Sequence, residues 1–168
     1  HLIDRADRIL PFEDNDVSEL VARNLERRGV VIHRNAKLER IEAMPHAIEY
    51  DLSYTDGRTE RVNVEKALLS VGRIPNLENL GLEHIGLELD PITRLLTVDG
   101  TRTAQPHVHV VGDASGSNML VNLGEMEGRH TVERIFGLQP PALSYANVSN
   151  IMFLDPEVAG VGLNEQAG

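Results

Sequence analysis

Residues 67–76, with the sequence ALLSVGRIPN, decide the fold class. The first five form an apolar run of the kind that is buried on both faces of a parallel sheet. Gly72 and Pro75 then interrupt the strand sharply. Ligands of open α/β sheets bind at the carboxyl ends of such strands. Gly72 could let a ligand approach the backbone, and Arg73 could meet a phosphate or carboxylate. The alternative is an ordinary loop glycine beside a surface arginine.

The residues before this run predict an α/β unit. His1–Ile3 end a strand, and apolar residues at helical spacing predict a helix from Asp16 to Arg28. Asp16 with Glu19 resembles a capping box, and Gly29 occupies the position of a helix-terminating glycine. A short apolar strand, residues 30–32, follows.

An antiparallel meander is predicted for residues 37–64. Ile48, Tyr50, Leu52 and Tyr54 alternate with polar residues, as in a half-buried strand. The pair at 56–57 is Asp-Gly, which favours a tight hairpin turn.

The residues after position 76 predict a strand, a turn and a helix. A second buried strand, residues 108–111, ends in Gly112-Asp113, and short strands are expected near residues 95–98. A helix is predicted over residues 118–136, with an apolar face that includes Val132, Ile135 and Phe136 and with Gly137 as its stop. Another strand is predicted over residues 151–154.

Composition excludes several classes of function. The 168 residues carry 26 acidic and 16 basic side chains, a formal net charge of −10. Nucleic acids and anionic membranes require a basic surface, so neither partner is expected. The sequence has no cysteine, which rules out a disulfide, a zinc–thiolate site or a cysteine nucleophile within it. Its seven histidines lack metal-ligand spacing, so no metal site is expected.

Two carboxylates end predicted strands and are candidate ligand-binding groups. Asp4 follows the first strand, where nucleotide-binding α/β units place an acidic residue for ribose hydroxyls. Asp113 follows the 108–111 strand and could accept hydrogen bonds from a sugar or polyol. The alternatives are a solvated loop aspartate at position 4 and plain turn chemistry at position 113.

The following motifs occur in this order along the chain: DRILP at 7–11, ALLSVGRIPN at 67–76, TAQPHVHVVGD at 103–113, EGR at 127–129 and DPEVAGVGLNE at 155–165. In this order the chain resembles the class I pyridine nucleotide-disulfide oxidoreductases, particularly the dihydrolipoamide dehydrogenase and soluble transhydrogenase branches. The sequence departs from the family at Val121 and Gly124, where alanine is common, and at Leu154, where threonine is common.

The resemblance implies a domain organisation. Residues 1–73 match the later part of an NAD(P)-binding domain, 74–140 the returning segment of an FAD-binding domain, and 147–168 the start of an interface domain. The implied fold is α/β: a partial Rossmann-like flavoprotein fold with two dinucleotide-binding domains and an antiparallel meander, plus the beginning of an α+β interface domain.

The resemblance also implies roles toward the nicotinamide nucleotide. Asp4 matches the acidic residue at the adenosine ribose, which favours NAD, although Arg5 and Arg8 keep NADP possible. Gly72 matches a backbone contact at the nicotinamide nucleotide. Arg73, the next residue, is a cofactor-binding candidate from the local sequence alone, as the group for a phosphate or carboxylate.

Three residues match contacts to FAD. Asp113 matches the carboxylate that hydrogen-bonds the ribityl chain. Met119 and Leu120 match the turn and helix start whose N–H groups face the flavin ring. A helix N-terminus there would stabilise negative charge that develops on reduced flavin.

The implied activity is hydride transfer from NAD(P)H to FAD and on to a second acceptor. That acceptor is a small-molecule or lipoyl-type disulfide, or a second pyridine nucleotide. A homodimer and a cytoplasmic location are implied too. The family's cysteine pair would lie upstream and its His-Glu pair downstream, so no catalytic residue is expected here. Lacking a GxGxxG loop, the isolated chain is expected to bind neither cofactor tightly and to be inactive. The alternative function is a non-catalytic α/β interaction module derived from the family.

Overall fold

The computed structural model describes residues 1–116 and 118–166. The chain divides into two compact units: unit 1 comprises residues 1–70 and those from 151 onward, and unit 2 comprises residues 71–150. Within these described residues the architecture is mixed α/β with three small sheets, which confirms that part of the predicted fold class. No helix within the two described ranges is long and apolar enough to cross a membrane.

Unit 1 begins with the predicted α/β step. Strand β1 (Leu2–Ile3) pairs in parallel with β2 (Ile32–His33), and helix α1 (Asn15–Arg27) lies between them in sequence. Strand β2 begins two residues later than expected. The core beside α1 is built from aliphatic side chains of the helix, of the preceding loop and of the end of the chain: Ile9, Val21, Ala22 and Val158.

The two ends of α1 differ in how well the sequence predicted them. The N-cap is Asp14, no side chain caps the helix, and the capping box at Asp16 and Glu19 is therefore wrong. The loop itself holds this end, because the buried Ser18 hydroxyl donates to the Ile9 carbonyl over 2.5 Å. Gly29 is confirmed as the terminating residue, since its φ of +89° is the left-handed conformation that the C-terminal turn requires.

The meander forms as predicted. Strands β3 (Ala36–Ala43), β4 (Ile48–Tyr54) and β5 (Thr59–Val64) are antiparallel, with β4 in the centre. Tyr50 and Leu52 of β4 are buried, which confirms the alternation read from the sequence. Gly57 has a φ of +87° in the connecting turn, as the Asp-Gly pair predicts.

A chain of hydrogen bonds joins β2 to the meander. The Nδ1 atom of the buried His33 lies 2.6 Å from the Tyr54 hydroxyl, which donates to the Glu60 carboxylate over 2.7 Å. Because that hydroxyl has one proton, it accepts from His33 Nδ1–H. Burial, together with the hydrogen bond to anionic Glu60, raises the pKa of Tyr54 to about 12.

This network gives a testable ionisation behaviour. The phenolate absorbance of the wild type minus that of Tyr54→Phe is expected to titrate near pH 12, well above the ordinary phenol value of about 10. The raised pKa in the folded state means that the neutral hydroxyl adds stability below about pH 10, and that this stability is lost as the pH rises toward 12. A difference signal that titrates at the ordinary value would contradict the network.

Residues 67–71 do not form the buried strand that the sequence predicts. The segment has no regular secondary structure, and Leu68 and Val71 are 91% and 90% exposed. An apolar run becomes a buried strand only where neighbouring strands supply hydrogen bonds and cover both faces. Within the described ranges, no strand pairs with residues 67–71, so the prediction of a buried strand is wrong for this structure.

Unit 2 is largely irregular around a small aliphatic core that comprises Leu77, Leu87, Leu96 and Val110. The strands predicted at 95–98 and 108–111 are reduced to isolated bridges, Leu89 to Leu96 and Arg102 to His109. The prediction of regular strands is therefore wrong for both segments, because each forms a β-bridge with its neighbour at a single position. Two 3₁₀ helices, Leu82–Ile85 and Gly112–Ser115, complete the irregular part.

Helix α2 (Val121–Ile135) confirms the long helix predicted near the end of unit 2. Gly137, with a φ of +78°, ends it as expected. The predicted apolar face is wrong at its C-terminal half, where Val132, Ile135 and Phe136 are each more than half exposed. Beyond the helix, β6 (Ser149–Met152) pairs with β7 (Val158–Val161), so this strand begins two residues earlier than predicted.

Candidate functional site

Asp113 lies in a tight turn of unit 2. The backbone is extended at Val111, and Gly112 then adopts a φ of +66° to open the 3₁₀ helix Gly112–Ser115, hereafter the Asp113 turn. Gly116, also left-handed at +74°, closes it. The Asp113 side chain is 54% exposed. The turn thus presents a solvent-accessible carboxylate between two glycines that adopt the left-handed conformation.

Arg73 reaches the same carboxylate. Its Nη1 atom lies 3.8 Å from Asp113 Oδ2, although the two residues are forty positions apart in the sequence. Both side chains are more than half exposed, so the ion pair contributes little to stability. Gly72 beside it is exposed and has a φ of +114°, a conformation that favours glycine. Three of the predicted site residues therefore lie in one neighbourhood.

Met119 and Leu120 precede helix α2 and are both half-buried. Leu120 is the N-cap, with extended backbone, and its carbonyl accepts the N–H groups of Leu123 and Gly124 at 3.1 Å. Among the residues that the structure describes, no side chain caps this end, and the first turn carries no acidic residue. The positive end of the helix is therefore not neutralised by its own sequence, and it suits an anionic or electron-rich group.

Glu127 on α2 forms a hydrogen bond with the backbone of the Asp113 turn. The sequence analysis assigned this residue no role. Its side chain is buried, with 1% of the residue exposed. One carboxylate oxygen accepts the Gly112 N–H over 2.6 Å, and the other accepts the Tyr145 hydroxyl over 2.9 Å. The signal in the sequence was a carboxylate on the apolar face of the helix, four residues after Leu123.

A pair of glycines lets the helix lie close to the turn. A Cβ atom placed on Gly124 would lie 3.2 Å from the Gly112 Cα atom, which is tighter than ordinary van der Waals contact. Position 124 is one of the family departures noted in the sequence. The missing side chain on each backbone accounts for the close approach of α2 to the Asp113 turn.

Asp4 belongs to unit 1. It follows β1, as predicted, and its N–H donates to the His33 carbonyl over 2.9 Å. Its Oδ1 atom accepts the Ala6 N–H over 2.9 Å, so the carboxylate helps to shape its own loop. Its assignment to a ribose stays a prediction.

Comparisons with known proteins agree on one family. The family model described as pyridine nucleotide-disulphide oxidoreductase matches residues 1–128. A dihydrolipoyl dehydrogenase of Bacillus subtilis is 32% identical over 165 residues, which cover 98% of this chain and 35% of that relative. A second, from Chlorobaculum tepidum, is 29% identical with the same 35% share of its length. The chain therefore spans about a third of the length of these relatives.

Solved structures show the same relationship. LpdA from Mycobacterium tuberculosis superimposes with a TM-score of 0.86 at 30% identity, over 98% of this chain and 35% of that one. The HOCl-induced flavoprotein disulfide reductase RclA from Escherichia coli gives a TM-score of 0.87 at 23% identity, over 98% and 37%, and shows the shared fold alone. With three quarters of its length matched by the family model, the chain belongs to the pyridine nucleotide-disulphide oxidoreductase family.

Proposed function

We propose that the chain forms part of an FAD-dependent oxidoreductase that transfers a hydride from NAD(P)H to FAD and on to a disulfide or a second pyridine nucleotide. The disulfide would be of lipoyl type or a smaller molecule. The family is one of FAD-dependent pyridine nucleotide-disulfide oxidoreductases, and the relatives are dihydrolipoyl dehydrogenases. The observation that carries the proposal is the exposed Asp113 carboxylate on a tight turn ahead of a helix N-terminus that no described side chain caps.

The residues present fit an FAD molecule. Asp113 offers acceptors for the hydroxyls of a ribityl chain, and the Arg73 guanidinium lies beside it. The N-terminus of α2 after Leu120 would face the flavin ring. When bound, FAD supplies the two-electron chemistry, while the protein binds, orients and polarises it. The N–H groups of this helix would stabilise negative charge at the ring.

The same proposal assigns roles to the other predicted site residues and segments. Asp4 would accept hydrogen bonds from an adenosine ribose, which favours NAD, and Gly72 would lie against the nicotinamide nucleotide. Residues 1–73, 74–140 and 147–168 would belong to the NAD(P)-binding, FAD-binding and interface domains of a homodimeric, cytoplasmic protein with a Rossmann-like fold. No nucleic-acid or membrane partner is part of this proposal.

The test uses the product of the complete reading frame that contains these codons. We expect it to purify with a flavin absorption spectrum that is bleached by NADH. Asp113→Asn is expected to weaken FAD binding about tenfold to a hundredfold, the range for a lost hydrogen bond to a charged group. Asp99→Asn is the matched control, because Asp99 is also an exposed aspartate of unit 2, and it should leave FAD affinity unchanged.

Two results would count against the proposal. A protein that unfolds cooperatively but binds no flavin would favour the non-catalytic interaction module. Equal FAD affinity in Asp113→Asn and Asp99→Asn would remove Asp113 from the site.

A further inference from the structure

Glu127 is an ionisable side chain enclosed among hydrogen-bond donors. Only 1% of the residue is exposed. The Gly112 N–H and the Tyr145 hydroxyl donate to its two oxygens at 2.6 and 2.9 Å, and the Ser115 hydroxyl lies 3.4–3.5 Å from both. A backbone N–H can only donate, so the Glu127 oxygen beside Gly112 is an acceptor, whereas the Ser115 hydroxyl donates over the shorter distance of 2.8 Å to the Gly112 carbonyl.

Stability alone does not account for such a residue. A buried charge loses its hydration, and an apolar side chain of similar size at the same place is often neutral or stabilising. What a hydrogen-bonded carboxylate adds is geometry, because charge-assisted hydrogen bonds are short and directional. The element that Glu127 holds by a hydrogen bond is the turn that begins at Gly112 and carries Asp113 one residue later.

We propose that Glu127 is a positioning residue for FAD: it fixes the Asp113 turn in the conformation that presents the Asp113 carboxylate. This inference rests on the proposed function. Tyr145 holds the second oxygen and so sets the orientation of the carboxylate plane. Glu127 itself acts through the backbone of Gly112.

Three variants of the complete reading-frame product separate positioning from simple support of the fold. Glu127→Leu keeps the volume and removes both acceptors. Glu127→Gln keeps one acceptor oxygen for the Gly112 N–H, and its amide group faces Tyr145. Thr131→Val is the control, because Thr131 is buried one turn later on the same helix face and donates to the Thr101 hydroxyl over 2.7 Å.

The readouts are the FAD dissociation constant, thermal unfolding, and deuterium exchange of the apoprotein peptide that contains residues 112–116. Glu127→Leu is expected to weaken FAD binding about tenfold to a hundredfold and to speed exchange in that peptide. Glu127→Gln is expected to lose about threefold to tenfold, as a charged acceptor becomes neutral. Thr131→Val should lower the unfolding temperature while FAD affinity stays within about twofold of wild type.

The outcomes distinguish the two proposals. A wild-type protein that binds no FAD overturns the proposed function and this inference with it. If the wild type binds FAD, and Glu127→Gln has the same FAD affinity and the same deuterium exchange as the wild type, the inference alone is overturned. This holds even if Glu127→Leu fails to fold. A loss of FAD affinity in Thr131→Val as large as that in Glu127→Leu also overturns it, because support of the helix would then explain both.

Discussion

Leu52→Ala is expected to lower the free energy of unfolding of the 168-residue chain by about 2–5 kcal/mol. Leu52 is 1% exposed at the centre of β4, where it packs with Tyr50 and Val62 and lies opposite Leu38 in β3. Removing its side chain leaves a cavity that the hydrogen-bonded strands on both sides cannot easily close. Denaturant unfolding of the two proteins measures the difference.

Leu68→Ala is the matched control, since the same chemical change is made at a residue 91% exposed. It is expected to change the stability of the chain by no more than about 0.5 kcal/mol. Equal losses at the two positions would contradict the exposed placement of residues 67–71. In the complete reading-frame product, a loss at Leu68 in the range expected for Leu52 would show that this segment becomes a buried strand there.

Gly124→Val is expected to destabilise unit 2 by about 1–3 kcal/mol, the usual cost of overpacking. Its Cβ atom would lie 3.2 Å from the Gly112 Cα atom, and backbone cannot rotate away as a flexible side chain can. The helix or the Asp113 turn must therefore shift. We expect weaker FAD binding as a second consequence, and thermal unfolding together with FAD titration measures both.

Gly128 provides the comparison on the same helix. A Cβ atom there meets nothing within 4 Å, so Gly128→Ala is expected to stabilise the helix by about 0.5–1 kcal/mol. If Gly124→Val proved as stable as wild type, the close approach of helix and turn would be wrong.

Features with local causes were predictable from the sequence. The alternation in β4 has period two, and the Asp-Gly turn after it supplies the left-handed residue that the hairpin needs. Gly29 and Gly137 end their helices for the same stereochemical reason. The exposed carboxylate of Asp113 after a glycine was predictable too, although its pairing with Arg73 is a contact that sequence distance conceals.

Features that depend on distant partners were not predictable. Residues 67–71 have the composition of a buried strand, yet burial requires neighbours that a local pattern cannot provide. The predicted capping box at Asp16 and Glu19 is wrong because α1 begins at Asn15, which places Asp16 inside the helix. The contact that holds this end is the hydrogen bond from the Ser18 hydroxyl to the Ile9 carbonyl. The role of Glu127 was not predicted because its hydrogen-bond partners are distant in the sequence. Gly112 lies fifteen residues before it and Tyr145 lies eighteen residues after it.

The contact between the end of the chain and α1 has a consequence for synthesis. Asn24 donates to the Asp155 carbonyl across 131 residues, and Val158 completes the cluster formed by Ile9, Val21 and Ala22. Unit 2 is continuous, whereas unit 1 is assembled from two separated segments. During translation, unit 2 has its whole sequence available while the aliphatic cluster of unit 1 still lacks one side. That cluster is therefore exposed to chaperones and proteases until Val158 leaves the ribosome.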